Sequence, residues 1–128
     1  MKRDFFIMTN NPLVLEKHGE DHRVIYEELS YEMLLTAVRD KIHAGYCLLT
    51  HPLSGSVKPL ETPYKSVLLA GGRADREELE MSIKLMENAL DACRKFRSKE
   101  GSFPPQVLED FKLIDLTLIE SALASAES

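Results

Sequence analysis

The sequence has few of the residues on which small secreted proteins and metal-binding proteins depend. It contains only two cysteines, Cys47 and Cys93, which stand far apart and in no spacing that metal ligands use. Three of the four histidines, His18, His22 and His43, are scattered over polar stretches and form no ligand pattern either. We therefore predict no metal and no cofactor, and we expect a reducing, cytoplasmic setting in which both thiols are inert core residues.

Long apolar runs and an excess of positive charge are also missing. The apolar run from Phe5 to Met8 is too short for a signal peptide, and no segment approaches the ~20 apolar residues that span a bilayer. The formal net charge is −5. Because nucleic acids and anionic membranes select proteins with a basic surface, we expect neither as the main partner.

What is present is the composition of an ordinary globular protein. The apolar fraction of 44% and the charged fraction of 29% are typical of such proteins, and 128 residues predict one domain over 1–128. Apolar periodicity predicts strands at 4–9, 23–27, 46–50 and 66–70. Helix caps and breakers predict two short helices, starting after Asn11 and after Ser30, and two longer ones over 75–97 and 105–125. This order predicts an α/β fold: a small four-stranded, mostly parallel sheet layered with helices, with two longer C-terminal helices.

The segment between Thr50 and Ser66 is unusual. Its fifteen residues, HPLSGSVKPLETPYK, have neither helical nor strand periodicity. Loops of this length inside compact domains are uncommon and are usually functional or disordered. Pro52, Pro59 and Pro63 restrict the backbone, so we predict an ordered loop.

The polar groups of this loop suit an anion. Successive backbone N–H groups at Ser54–Ser56 would form an anion-binding nest, and two lysines add positive charge. If the strands run parallel, the Asn10–Asn11 turn and the Gly71–Arg73 turn reach the same edge of the sheet. The predicted ligand-binding residues are Asn10, Asn11, His51, Ser54, Gly55, Ser56, Lys58, Thr62, Tyr64, Lys65 and Arg73. The alternative is that the loop only covers an edge of the sheet or one end of the core.

No catalytic residue can be assigned. His51 is a weak candidate for a general base, because its unperturbed pKa lies near 6.5. No partner carboxylate is evident in the sequence, so a structural histidine held in the extended conformation before Pro52 is the preferred interpretation. Arg73 either reaches an oxyanion or is a surface residue ahead of a helix.

The last two helices carry more apolar residues than a single narrow stripe requires. We predict a homodimer through residues 75–125, since a two-fold contact is the commonest way to bury such a surplus. The alternative is a monomer in which one broad apolar side faces the core.

The segments THPLSGSVKP and ETPYKS, together with TNNPLV near the N-terminus, resemble the GrdX-like proteins, a family of small proteins encoded beside glycine reductase genes. The resemblance extends over most of the chain. It implies a link to the anaerobic reduction of glycine, sarcosine or betaine, a pathway that uses selenoproteins, thioredoxin and acetyl phosphate. It implies no particular activity.

Three functions are compatible with these observations. The first is an accessory protein that binds a small anionic ligand (phosphate, acyl phosphate, nucleotide or carboxylate) at the 51–65 loop. The second is a protein-interaction module that docks on a glycine reductase subunit through its apolar helices. The third is an enzyme acting on the bound anion, with His51 as acid or base and Lys58 stabilising charge.

Overall fold

The computed structural model describes residues 4–53, 62–95 and 103–127. Three strands and four helices follow one another along the chain in these ranges: β1 (Phe5–Thr9), α1 (Pro12–His18), β2 (Val24–Tyr26), α2 (Tyr31–His43), β3 (Ser66–Ala70), α3 (Arg76–Lys95) and α4 (Pro105–Glu127). The α/β class predicted from the sequence is confirmed. So is the pair of longer C-terminal helices, which have 20 and 23 residues.

The strands form one mixed sheet in the order β2-β1-β3. β1 pairs with β2 in parallel, with Ile7 opposite Val24. It pairs with β3 in antiparallel fashion, with Ile7 opposite Leu68. β3 is buried along its whole length, and so is β1 after its first residue. Both strands therefore read as continuous apolar runs rather than as alternating ones.

The prediction of four mostly parallel strands is wrong. In the described residues, segment 46–50 contributes only an isolated antiparallel bridge between Leu48 and Leu69. Side chains interrupt its ladder: Leu48 N donates to Ser82 Oγ at 3.0 Å, and Leu68 N donates to Thr50 Oγ1 at 3.0 Å. Segment 46–50 and β3 are neighbours joined without a helix, since the sequence from 51 to 65 has no helical periodicity, and neighbours joined in this way pair in antiparallel fashion.

Helix starts follow the local signals of the sequence. The Asn11 side chain accepts a hydrogen bond from Leu13 N at 3.0 Å and caps α1, with Pro12 as its first residue. Ser30 caps α2 in the same way. Asp75 and Glu78 form the predicted capping box ahead of α3, in which each side chain accepts a hydrogen bond from the other residue's backbone N–H.

The helices cover both faces of the sheet. On one face α2 and α3 pack against Phe6, Met8, Val67 and Leu69. On the other face α1 and α4 pack against Ile7 and Leu68. The buried residues of α4 are Asp115, Leu116, Ile119 and Leu123. Ile114 and Leu118, which belong to another row of apolar residues on α4, are 48% and 42% exposed.

Within the described ranges, no helix is long and apolar enough to cross a membrane.

Candidate functional site

Asn10 joins three segments at the carboxyl end of β1. Its side-chain Nδ2 donates to Leu29 O at 2.9 Å and to Pro63 O at 2.8 Å. Its Oδ1 accepts a hydrogen bond from Lys65 N at 2.8 Å. Both N–H groups of the amide are thereby used, so Asn10 shapes the site and has no amide hydrogen left for a ligand.

Asn11 is fully buried and ties the same end of β1 to α4. While its Oδ1 caps α1, its Nδ2 donates to Lys112 O at 2.9 Å and to Asp115 Oδ2 at 3.0 Å. The backbone around Lys112 is therefore held at a defined place relative to the sheet. Asn11 is a positioning residue, and the ligand-contact role predicted for it would need these bonds to break.

A buried carboxylate lies at the centre of this arrangement. Asp115 is 5% exposed and accepts hydrogen bonds from Ser66 N at 3.0 Å and from Ser66 Oγ at 2.7 Å. The Thr9 hydroxyl lies 2.6 Å from Ser66 Oγ and extends the chain of contacts into β1. We call Thr9, Asn11, Lys65, Ser66 and Asp115 the polar network. It links β1, β3 and α4.

Burial governs the ionisation of the two charged members of the network. It raises the pKa of Asp115, and the hydrogen bonds from Ser66 and Asn11 and the charge of Lys65 oppose that rise. Burial likewise lowers the pKa of Lys65, and the charge of Asp115 opposes it. Both side chains are shielded from water, and their opposite charges attract each other.

Sequence reasoning missed Asp115 and Ser66. A signal was present: Asp115 is the one charged residue in the run Leu113–Ile119, whose other members are apolar or threonine. A lone carboxylate in an apolar run on a helix is a candidate for a buried, hydrogen-bonded group.

Beside the polar network lies a cleft of about 380 Å³. It opens where the parallel strands β1 and β2 end, which is where ligands gather in open α/β sheets. We call it the Lys112 cleft. Its lining residues are Asn10, Pro12, Tyr26, Glu28, Leu29, Ser30, Tyr31, Thr62, Pro63, Tyr64, Phe103 and Lys112.

Lys112 is the basic residue of this lining. Its Nζ lies 3.0 Å from Glu109 Oε1 and 5.9 Å from the centre of the Tyr64 ring. The hydrogen bond to Glu109 raises the pKa of Lys112, and Tyr64 and Tyr26 add to the rise. The ammonium group is therefore charged at neutral pH, and two phenol hydroxyl groups stand near it as possible hydrogen-bond donors.

The structure brings only part of the predicted site together. Asn10, Thr62 and Tyr64 line the Lys112 cleft, and Asn11 and Lys65 lie beneath it in the polar network. Predicted residues Ser54, Gly55, Ser56 and Lys58 lie outside the described residues.

Two predicted site residues stand apart from the cleft lining. His51 is exposed, and its Nδ1 accepts a hydrogen bond from Leu53 N at 3.0 Å, which closes a local turn. Arg73 follows the last residues of β3, where Gly71 N donates to Asp4 O at 2.7 Å, at the opposite end of β1 from Asn10. The separation of Arg73 follows from the antiparallel direction of β3, which sends its end toward the start of β1.

Over 4–53, 62–95 and 103–127, no three His, Cys, Asp or Glu side chains are grouped as a metal site would need.

Comparison with known proteins adds one positive result. The model of the GrdX-like protein family matches residues 6–124. This range contains the polar network and the whole lining of the Lys112 cleft. No curated protein and no solved structure matches the chain significantly.

Proposed function

We propose that this chain, which belongs to the GrdX-like protein family, is a glycine reductase accessory protein that binds a small anionic ligand in the Lys112 cleft. The family match confirms the resemblance noted in the sequence and supports the accessory role. The ligand carries a carboxylate or phosphate group that pairs with the Lys112 ammonium. Of the predicted 51–65 loop, Thr62 and Tyr64 contribute to this cleft.

The observation that carries the proposal is a charged lysine in a preformed cleft. Lys112 is only partly exposed, and Asn11 holds its backbone carbonyl at 2.9 Å. Because the backbone is held before a ligand arrives, less ordering entropy is lost on binding. A charge-assisted hydrogen bond from such a lysine contributes roughly 1.5–3 kcal/mol.

Other groups of the cleft add to the attraction of Lys112 for an anion, and they offset the opposing carboxylate of Glu109, which lies 3.0 Å from its Nζ. The hydroxyl groups of Tyr26 and Tyr64 are potential donors on the same cleft. Ser30 and Tyr31, at the start of α2, also line it, and the N-terminal end of a helix carries partial positive charge. The cleft volume falls within the range of roughly 300–1,000 Å³ that is usual for small-molecule sites.

Thermal unfolding with added ligand tests the proposal. Phosphate, acetyl phosphate, acetate and propionate are titrated against the wild-type protein and a Lys112→Met variant. An anion that binds in the cleft stabilises the wild type by ~2.7 kcal/mol at a hundred times its Kd, a rise in Tm of roughly 10 °C. The same anion should leave Lys112→Met almost unchanged.

Lys84→Met is the matched control, because Lys84 is an exposed lysine on α3 and no part of the cleft lining. This variant should respond like the wild type. If every anion shifts Lys112→Met as much as the wild type, the cleft is not the anion site.

A second candidate function, docking on a glycine reductase subunit, is favoured by the outer side of α4. Leu113, Ile114, Thr117 and Leu118 line a shallow depression there, and the three aliphatic side chains are 42–55% exposed. Capture of a purified reductase subunit by the wild type, lost in Leu113→Glu and Leu118→Glu but kept in Lys112→Met, would support docking. Capture unaffected by the two glutamates would contradict it.

A further inference from the structure

We infer that the ligand of the Lys112 cleft carries a positive charge beside its carboxylate, so that the class of ligand is a small zwitterion of amino-acid type. The inference rests on the proposed anion site and narrows its chemistry. It starts from the one lining residue that opposes an anion, Glu28.

Glu28 and Lys112 present opposite charges to the same cleft from different elements. Lys112 belongs to α4, and Glu28 lies in the segment that connects β2 to α2. The Lys112 ammonium pairs with Glu109 at 3.0 Å and not with Glu28. Among the described residues, Glu28 makes no ion pair and no side-chain hydrogen bond. Two opposite charges that share a cleft without contacting each other leave room for a ligand between them.

Glu28 also discriminates among anions by their charge. Repulsion by a fixed carboxylate grows in proportion to the charge of the ligand. Phosphate and acyl phosphates approach a charge of −2, whereas a carboxylate carries −1 and a zwitterion carries none overall. Attraction to Lys112 grows in the same way, so the contribution specific to Glu28 is its attraction for an ammonium group, and the pair Glu28 and Lys112 therefore favours the zwitterion over a simple carboxylate.

The aromatic lining supports a cationic group as well. Tyr26, Tyr64 and Phe103 all face the cleft, and the faces of aromatic rings attract ammonium groups. The phenol hydroxyls of the two tyrosines can donate to a carboxylate at the same time. A ligand with one group of each sign uses both properties of these rings, whereas an anion uses only the hydroxyl groups.

The volume of the cleft also favours a small ligand of amino-acid type. At about 380 Å³ the cleft lies near the lower end of the usual range for ligand sites. It suits a molecule of amino-acid size better than a nucleotide, which is larger and carries several negative charges.

Calorimetric titration of the full chain with four three-carbon compounds and inorganic phosphate isolates the contribution of the ammonium group to the affinity. Alanine and β-alanine carry both charges at different spacings, propionate lacks the amine, propylamine lacks the carboxylate, and inorganic phosphate is the dianion. At least one of the two amino acids should bind the wild type tenfold or more tightly than propionate does. Propylamine lacks the group that pairs with Lys112, and phosphate lacks the group that pairs with Glu28, so both should bind more weakly than that amino acid does.

Substitutions of Glu28 test whether its carboxylate binds the ammonium group of the ligand. Glu28→Gln should reduce the tenfold preference for the amino acid to less than twofold while leaving the affinity for propionate unchanged or improved. Glu28→Lys should reverse the order, so that propionate and phosphate bind more tightly than the amino acids. Glu27→Gln, which alters an exposed neighbour outside the cleft lining, is the matched control and should keep the preference.

The outcomes separate this inference from the proposed function. Propionate or phosphate binding the wild type as tightly as both amino acids would overturn the zwitterion and leave the anion site standing. A preference that survives Glu28→Gln would overturn the role of Glu28. Failure of all five compounds to bind would overturn the inference and the proposed function together.

Discussion

The two faces of the sheet are held to their helices by different means. On the face covered by α2 and α3, thirteen buried side chains form one cluster that is almost entirely apolar. On the face covered by α1 and α4, the described cluster has six buried apolar residues, and the polar network lies beside it. Apolar burial has no preferred direction, whereas the hydrogen bonds to Asp115 require defined distances and angles and therefore favour one position of α4 along the sheet.

The difference bears on function because α4 supplies Lys112 to the cleft. The hydrogen bonds from Asn11 to Lys112 O and to Asp115 hold the first half of this helix against the end of β1. Near its other end, His18 and His22 contact Glu120 and Glu127 at 2.9 and 3.1 Å. We infer that the face covered by α2 and α3 supplies most of the free energy of folding. On the face covered by α1 and α4, polar groups replace part of the apolar packing, and they hold the ligand-binding side chain of Lys112 in place.

Removing the carboxylate of the polar network should have the largest effect. Asp115→Ala leaves Ser66 and Asn11 with buried donors that have lost their acceptor. Loss of one partner from a buried, charged arrangement costs about 3–5 kcal/mol, and urea unfolding measures the change. Asp110→Ala, at an exposed position of the same helix, should change stability by less than about 0.5 kcal/mol. A loss below about 1 kcal/mol for Asp115→Ala would remove the contrast between the two faces.

Truncating one leucine on each face compares the apolar packing directly. Leu90 and Leu123 are 2% and 4% exposed, so both substitutions to alanine fall within the range of about 2–5 kcal/mol. We expect Leu90→Ala to cost more than Leu123→Ala, because it opens a cavity inside the larger cluster. Leu123 lies near the end of α4, where neighbouring small residues can close the gap. Equal losses in urea unfolding would show that the two clusters are packed alike.

The pH dependence of stability should reveal the buried carboxylate. The pKa of Asp115 is raised in the folded state above its ordinary value of 3.8. Such a group contributes stability that is fully present below the unfolded pKa and is lost as the pH rises through the folded pKa. The free energy of unfolding of the wild type should therefore fall relative to that of Asp115→Asn as pH rises above 3.8. Urea unfolding at steps between pH 3.5 and 7 measures it, and a shift toward the wild type would contradict the assignment.

The smallest effect on folding is expected on the outer side of α4, where we propose a homodimer contact as the alternative to docking on a reductase subunit. Leu113→Glu and Leu118→Glu alter exposed side chains, so the isolated chain should change by no more than about 0.5 kcal/mol. Sedimentation equilibrium should nevertheless give twice 14.5 kDa for the wild type and 14.5 kDa for the double variant. A wild-type mass of 14.5 kDa would exclude the dimer at the concentration used. Leu116 and Ile119 are unsuitable for this test, since both are buried against the sheet.

The helix starts and the three strands could be read from the sequence because their causes are local. Asn11 and Ser30 accept hydrogen bonds from residues two or three positions later, and the Asp75–Glu78 capping box closes within four residues. The apolar run of β3 reflects burial of every residue in it. None of these features depends on how distant parts of the chain meet.

The features that could not be predicted depend on contacts between distant parts of the chain. The apolar residues of α4 surround most of the helix, so periodicity alone left open which side faces the core; in the structure Leu116, Ile119 and Leu123 are buried, and Ile114 and Leu118 are exposed. The isolated bridge at Leu48 depends on Ser82 and Thr50, side chains that take up ladder hydrogen bonds. No local pattern signals which partner such a backbone group will find.

The sequence by itself determined where each helix begins, which runs are buried, and that a stretch rich in proline and hydroxyl groups precedes β3. Local sterics, capping hydrogen bonds and apolar periodicity are sufficient for these. Only the tertiary structure decided that β3 runs antiparallel to β1, and this brought Thr62 and Tyr64 to Asn10 and sent Arg73 to the other end of β1. It also decided that Asp115 and Lys112, close neighbours on α4, have a buried and a cleft-lining role. These outcomes depend on contacts between residues some fifty to a hundred positions apart, such as Ser66 with Asp115 and Asn11 with Lys112, whose free energy no local segment contains.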